Sequence, residues 1–159
     1  MYITCSRKSD IVTKRFSKYL SRLLPDLEYI PRGKSNLLKI FENIKFLGHQ
    51  YFVICSNLVG DVKLLIYKLK GEEYFPDREY TLEVLDLRHF ISFKEIKKIN
   101  QEVNDLKEVF YFLDKKFKSK TSDYGVFILD NQIEKIFEFM LKDKSLGIKF
   151  KILNVKNFD

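Results

Sequence analysis

Short apolar runs alternate with stretches of helical periodicity along this chain, and that order constrains the fold more than any other feature. Residues 2–5 form a short run with β-branched members, read as a strand. After the turn Ser6-Arg7-Lys8, Ser9 or Asp10 caps a helix running to Leu24. Its inward stripe is Val12, Phe16, Tyr19, Leu20 and Leu23. Pro25-Asp26 ends that helix, and Leu27–Ile30 is a second strand. Pro31-Arg32-Gly33-Lys34-Ser35 then makes a turn, because proline and glycine together keep the backbone open. Ser35 is placed to cap a second helix over Asn36–Leu47, with Leu37, Ile40, Phe41, Ile44 and Leu47 inward and Gly48 as its stop. Tyr51–Cys55 and Val62–Leu69 read as a hairpin around Gly60.

The polar stretch Lys70–Glu79 carries Gly71 and Pro76 and reads as an internal boundary. Beyond it, Tyr80–Ile91 alternates as a strand, and 93–100 fits either a short helix or a strand extension. A helix is expected over Glu102–Phe117, a strand over Tyr124–Leu129, a helix over Asn131–Leu141 and a final strand from Ile148 to Val155. The element order of the first half thus returns in the second. The expected architecture is α/β, with two similar βαβαβ halves packed as one domain over 1–159: an N-terminal half 1–70, a linker 71–79 and a C-terminal half 80–159.

Net charge is +7, and it is unevenly spread. Residues 1–50 carry a net +6, residues 51–100 are neutral, and residues 101–159 carry +1. A lysine-rich composition explains many cations but not their concentration in the first third. Such a field suits a polyanion. On the first helix Lys14, Lys18 and Arg22 form a second stripe, joined by Arg15, with no acid after Asp10. That stripe is either a binding face or a solvated helix surface, which ordinarily carries compensating Glu at i±4.

Other chemistries find little support. No segment approaches the ~20 apolar residues of a membrane helix, and the N-terminus lacks the charge-then-apolar order of an export signal. Cys5 and Cys55 sit in apolar runs and read as buried small hydrophobes, not as a disulfide or metal pair. His49 and His89 have no ligand-type neighbours at zinc spacing. Gly33-Lys34-Ser35 invites a P-loop, but position 28 is Glu where the motif needs glycine. Asp86 and Asp130 do not make a clustered carboxylate site for a nuclease, and Glu72-Glu73 reads as solvated charge. No enzyme, cofactor or metal is expected.

Ile3-Thr4-Cys5-Ser6-Arg7, the helix ending at Leu24-Pro25, and the run from Tyr29 to Leu37 together resemble the start of a Brix domain. Gly60 with the strand Leu64–Leu69, the segment Val109–Leu113, the pair Asp123-Tyr124 and Gly147-Ile148-Lys149-Phe150-Lys151 extend the resemblance along the chain. The last segment is similar to the family's Gly-Pro-Arg-Phe, without the proline and with Lys149 for the arginine. The resemblance implies a short archaeal ribosome-biogenesis factor that binds rRNA or pre-rRNA in the cytoplasm. It also implies two halves related to the anticodon-binding domain of class II aminoacyl-tRNA synthetases. Implied partners are rRNA and other assembly factors or ribosomal proteins, with no membrane and a monomeric state.

The expected RNA-binding residues are Arg7, Lys8, Lys14, Arg15, Lys18, Arg22, Arg32, Gly33, Lys34 and Lys149. The turns at 6–8 and 31–35 both follow strands of the same sense, which would make them neighbours on one sheet edge. Arg32 has two readings: an RNA contact, or a pair with an acid of the other half. Two other functions stay open, a protein-interaction subunit of an assembly complex and a tRNA-directed binding module.

Overall fold

The computed structural model describes residues 1–23, 27–88, 124–130, 135–141 and 144–158. Their strands form one eight-stranded sheet in the order β2-β1-β3-β4-β5-β8-β7-β6. The elements are β1 Tyr2–Cys5, α1 Ile11–Leu23, β2 Glu28–Tyr29, α2 Leu37–Phe46, β3 Tyr51–Leu58, β4 Asp61–Lys70, β5 Glu73–Leu87, β6 Tyr124–Asp130, β7 Lys135–Leu141 and β8 Lys144–Asn157. β1 pairs in parallel with β2 and β3, and every other pairing is antiparallel.

Strand alternation divides the core between the two faces of the sheet. One face carries Ile3, Cys5, Val53, Cys55, Leu64, Ile66, Tyr80 and Leu82, with Phe16 and Leu20 of α1 laid over them. This cluster continues into Phe137, Phe139, Ile148 and Phe150. The Phe150 ring joins the two parts, meeting Phe16 edge-on at 5.4 Å and stacking on Phe137 at 5.3 Å. The other face carries Phe52 and Ile54 beneath Ile40 and Ile44 of α2, with Phe41, Tyr67 and Tyr74 packed around them. So α1 and α2 cover opposite faces.

The helix ends differ in detail from expectation. Asp10 caps α1, its carboxylate accepting from the Thr13 amide at 2.7 Å. Asn36, not Ser35, caps α2, accepting from the Lys39 amide at 2.8 Å. Gly48 does stop α2, at φ 74°. The Gly48 and His49 amides return to the carbonyls of Lys45 and Ile44, closing a Schellman motif. Val12 and Leu47, expected inward, are exposed. The α1 stripe rotates instead onto Thr13, Phe16, Ser17 and Leu20, because Cys5 donates to the Ser17 hydroxyl at 3.2 Å and Ser17 to the Thr13 carbonyl at 2.8 Å.

Two expectations for the middle and second half are corrected. Residues 71–79 do not form a loose linker: Gly71 and Glu72 make a tight turn, and Glu73 begins β5. The polar residues of this stretch alternate along a strand paired to β4. Within the helix expected over Asn131–Leu141, residues 135–141 form strand β7, so among the described residues a strand stands where a second βαβαβ half needs its second helix. Ile136, Phe137 and Met140 satisfy a helical period, but Phe137 and Phe139 satisfy a period of two, and both are buried on the sheet. The strands expected at Tyr124–Leu129 and from Ile148 are present as β6 and β8. The helix expected over Glu102–Phe117 and the segment 93–100 lie outside the described residues. Cys5 and Cys55 are in register on adjacent parallel strands, both free and buried. Burial pushes both thiols up from their ordinary pKa.

Candidate nucleic-acid interface

β1 and β2 run parallel, so their carboxyl ends lie on one edge of the sheet and launch the turns 6–10 and 31–36 side by side. The first turn is anchored on β3: the Ser6 amide and the Ser9 hydroxyl both donate to the Cys55 carbonyl, at 2.7 and 3.3 Å. The second is anchored on β1, with Ile30 donating to Ile3 at 3.0 Å and the Thr4 hydroxyl to the Ile30 carbonyl at 2.6 Å. The two turns then join directly, as Arg7 Nη2 donates to the Lys34 carbonyl at 2.8 Å. The expected neighbourhood of the turns is therefore present in the fold.

Arg32 is held by its own turn. Its Nε donates to the Ser35 carbonyl at 3.3 Å, and the Ser35 amide returns to the Arg32 carbonyl at 3.2 Å. Partial burial, and then the charge of Arg7, lower the Arg32 pKa. Among the described residues, no carboxylate lies within ion-pair distance of Arg7, Lys8, Arg32 or Lys34. Gly33 sits between them at φ 56°, in the left-handed region. A Cβ there would meet no atom within 4 Å, so backbone shape and not space accounts for the glycine.

Helix α1 extends this surface. Lys14, Arg15, Lys18 and Arg22 are all exposed along it. Lys18 Nζ lies 5.6 Å from the centroid of the Tyr29 ring, which places that side of α1 along the β2 edge. Tyr29 itself is pushed up to about 12, by burial first and by Cys5 second. Composition marks none of this: the Tyr29 contact and the Ser6–Ser9 anchoring depend on which strands neighbour each other, and no spacing in the chain reports that.

Lys149 lies elsewhere. It is on β8, separated from β1 by β3, β4 and β5 in the sheet order. That is about 19 Å across the strands at normal spacing. Its Nζ pairs with Glu138 at 3.5 Å, and Asp86 stands opposite it in register.

The fold and this surface can be set beside known proteins. A segment of 71 residues is 37% identical to a probable Brix domain-containing ribosomal biogenesis protein of Saccharolobus solfataricus. The aligned part is 43% of this chain and 41% of that protein. The fold matches a crystal structure of Mil, an archaeal Imp4-like protein, with a TM-score of 0.69 at 17% identity, over 99% of this chain and 100% of that one. A probable ribosomal biogenesis protein from Aeropyrum pernix K1 matches with a TM-score of 0.62 at 13% identity, over 95% and 93% of the two chains. Over that segment the chain is similar in sequence to a Brix domain-containing protein, and its fold is similar to that of an archaeal Imp4-like protein.

No protein-family model matches this chain. No helix among its described residues is long and apolar enough to cross a membrane. Among the same residues, no group of three or more His, Cys, Asp or Glu side chains is placed to hold a metal ion.

Proposed function

We propose that this protein is a non-enzymatic ribosome-biogenesis factor that binds rRNA or pre-rRNA during subunit assembly, as a cytoplasmic monomer working beside other assembly factors. Support comes from the joined turns: Arg7, Lys8, Arg32 and Lys34 gather at one sheet edge with no carboxylate within ion-pair distance among the described residues, and α1 continues the field through Lys14, Arg15, Lys18 and Arg22. The phosphate backbone supplies the affinity of such a surface, and release of its counterions makes binding salt-dependent. Gly33 acts through the turn it shapes. Lys149, paired with Glu138, contributes least.

The test is binding to an rRNA fragment across a salt series. Replacing Arg7, Arg32 and Lys34 with Ala should weaken binding by more than about tenfold and flatten the salt slope by roughly 0.7 for each phosphate no longer neutralised. Circular dichroism should show the fold intact. Unchanged affinity would overturn the surface. Stronger binding to tRNA than to rRNA would favour a module closer to the anticodon-binding domains. Salt-independent capture of an assembly factor, with no RNA binding, would favour a protein-interaction subunit.

A further inference from the structure

We infer that a hollow at the far end of β4 holds one unpaired base of single-stranded RNA. It has a volume of about 370 Å³ and is lined by Lys70, Phe75, Pro76 and Phe158. The chain makes this hollow for a local reason. Pro76 has no amide hydrogen to give the ladder, and the β4–β5 register shifts at Ile66/Tyr67, directly opposite. Phe75 is left 43% exposed at the opening. The Phe158 amide donates to the Asp77 carbonyl at 3.0 Å, which fixes the backbone of the second aromatic wall.

Two cations attend these rings. Lys70 is part of the lining, and Lys156 Nζ lies 4.7 Å from the Phe158 centroid. Lys45, Lys63 and Lys149 are each paired with a glutamate, whereas among the described residues neither Lys70 nor Lys156 has a carboxylate within ion-pair distance. Glu73 faces Lys70 in register across the turn without pairing with it. Apolar walls alone would accept any apolar group. Two aromatic rings with two ammonium groups that no carboxylate among the described residues neutralises suit a flat ring that carries phosphate, which is a nucleotide of a single strand. The hollow also lies in reach of the first surface. Cys55, which anchors the turn at 6–10, pairs with Leu64. From Leu64 to Lys70 along β4 is about 20 Å, a span that a few nucleotides can bridge.

This inference rests on the RNA-binding reading but fails separately from it. The probe is a short single-stranded oligoribonucleotide carrying 2-aminopurine, whose fluorescence is quenched on stacking. Parent protein should quench it. Phe75→Leu, which keeps apolar bulk without a π-face, should lose the quenching and bind about tenfold more weakly. Phe75→Tyr should restore both. Joint replacement of Lys70 and Lys156 by Ala should weaken binding and flatten the salt slope. If Phe75→Leu binds and quenches like the parent, the hollow stacks no base. If free adenosine monophosphate competes as well as the oligonucleotide, the occupant is a mononucleotide and the strand assignment falls. If only the Arg7/Arg32/Lys34 variant weakens binding, the hollow falls and the basic surface stands. If only the Phe75 and lysine variants do, the reverse holds, and if none does, both fall.

Discussion

The N-terminal turns and the Lys63 and Lys149 sites of the sheet hold their cations in opposite ways. Two lysines of the sheet are answered from the neighbouring strand: Lys63 meets Glu79 at 2.9 Å and Lys149 meets Glu138 at 3.5 Å. At the carboxyl ends of β1 and β2, Arg7 and Arg32 donate to backbone carbonyls, and among the described residues no carboxylate lies within ion-pair distance of either. Antiparallel neighbours place one residue opposite another, so an acid on the next strand neutralises a cation at little cost. A turn and the outer side of a helix have no such partner row, and α1 has no acid within its span. One lysine-rich composition therefore yields ladder cations met by carboxylates at Lys63 and Lys149, and a basic edge where, among the described residues, no carboxylate lies within ion-pair distance of Arg7, Lys8, Arg32 or Lys34.

That contrast can be broken by putting acids where the edge lacks them. Exchanging Lys14 and Lys18 for Glu should reduce RNA affinity by more than about tenfold, the largest effect expected. It leaves the buried stripe of α1 untouched, so circular dichroism should not change. Gly33→Ala should come next. The left-handed backbone there should cost about 1 kcal/mol or somewhat more of stability and displace Arg32 and Lys34, lowering affinity without removing a charge. Thermal melting alongside titration would separate the two effects.

Stability should also respond to alkaline pH. Tyr29 is held neutral up to about 12, and burial raises both cysteines from 9.0. The fold favours their protonated forms. Their contribution to stability is thus complete below pH 9 and is lost as pH climbs through the folded-state values. Melting temperature should fall from pH 9 to 12, less steeply in Tyr29→Phe. An equal slope in parent and variant would count against a Tyr29 contribution.

The paired region should give the smallest responses. A double-mutant cycle on Lys63 and Glu79 should return a coupling of about 0.5 kcal/mol, as partly exposed cross-strand pairs do. Lys149→Ala should change RNA affinity less than about twofold, since its charge is already met. A large loss there would mean that a lysine already paired in the ladder also binds RNA, and the contrast would collapse.

Much of the N-terminal half is legible in the chain. Its helices and strands are separated by punctuation with physical meaning, such as Asp10 before α1 and Gly48 after α2. The charge asymmetry likewise marks Arg7, Lys8, Arg32 and Lys34, whose turns the fold joins. The second half is less legible. Residues 135–141 carry a short aromatic run that fits both periods, and only the cross-strand neighbours Phe137 and Phe150 decide for a strand. The stretch 71–79 misleads because glycine and proline mark hairpins and bulges as readily as linkers. Motif alone groups Lys149 with the other cations, yet its neighbours Glu138 and Asp86 come from other strands, and local sequence does not report them.

β5 has a consequence for how this protein comes apart. Its residues 73–82 pair with β4, while Arg78–Leu87 pair with β8. One strand thus belongs to both regions, and Arg78 to Leu82 belong to both ladders at once. The β4–β5 hairpin closes a two-residue turn, whereas joining β8 to β5 must bring together positions such as Arg78 and Asn157. Loop closure favours the hairpin forming early and the β8 seam late. Amide hydrogens of β4 and β5 should then exchange slowest, and those of β7 and β8 should open first as a cooperative unit. The segment that displays the aromatic hollow would lose its Phe158 wall before the basic edge loosens.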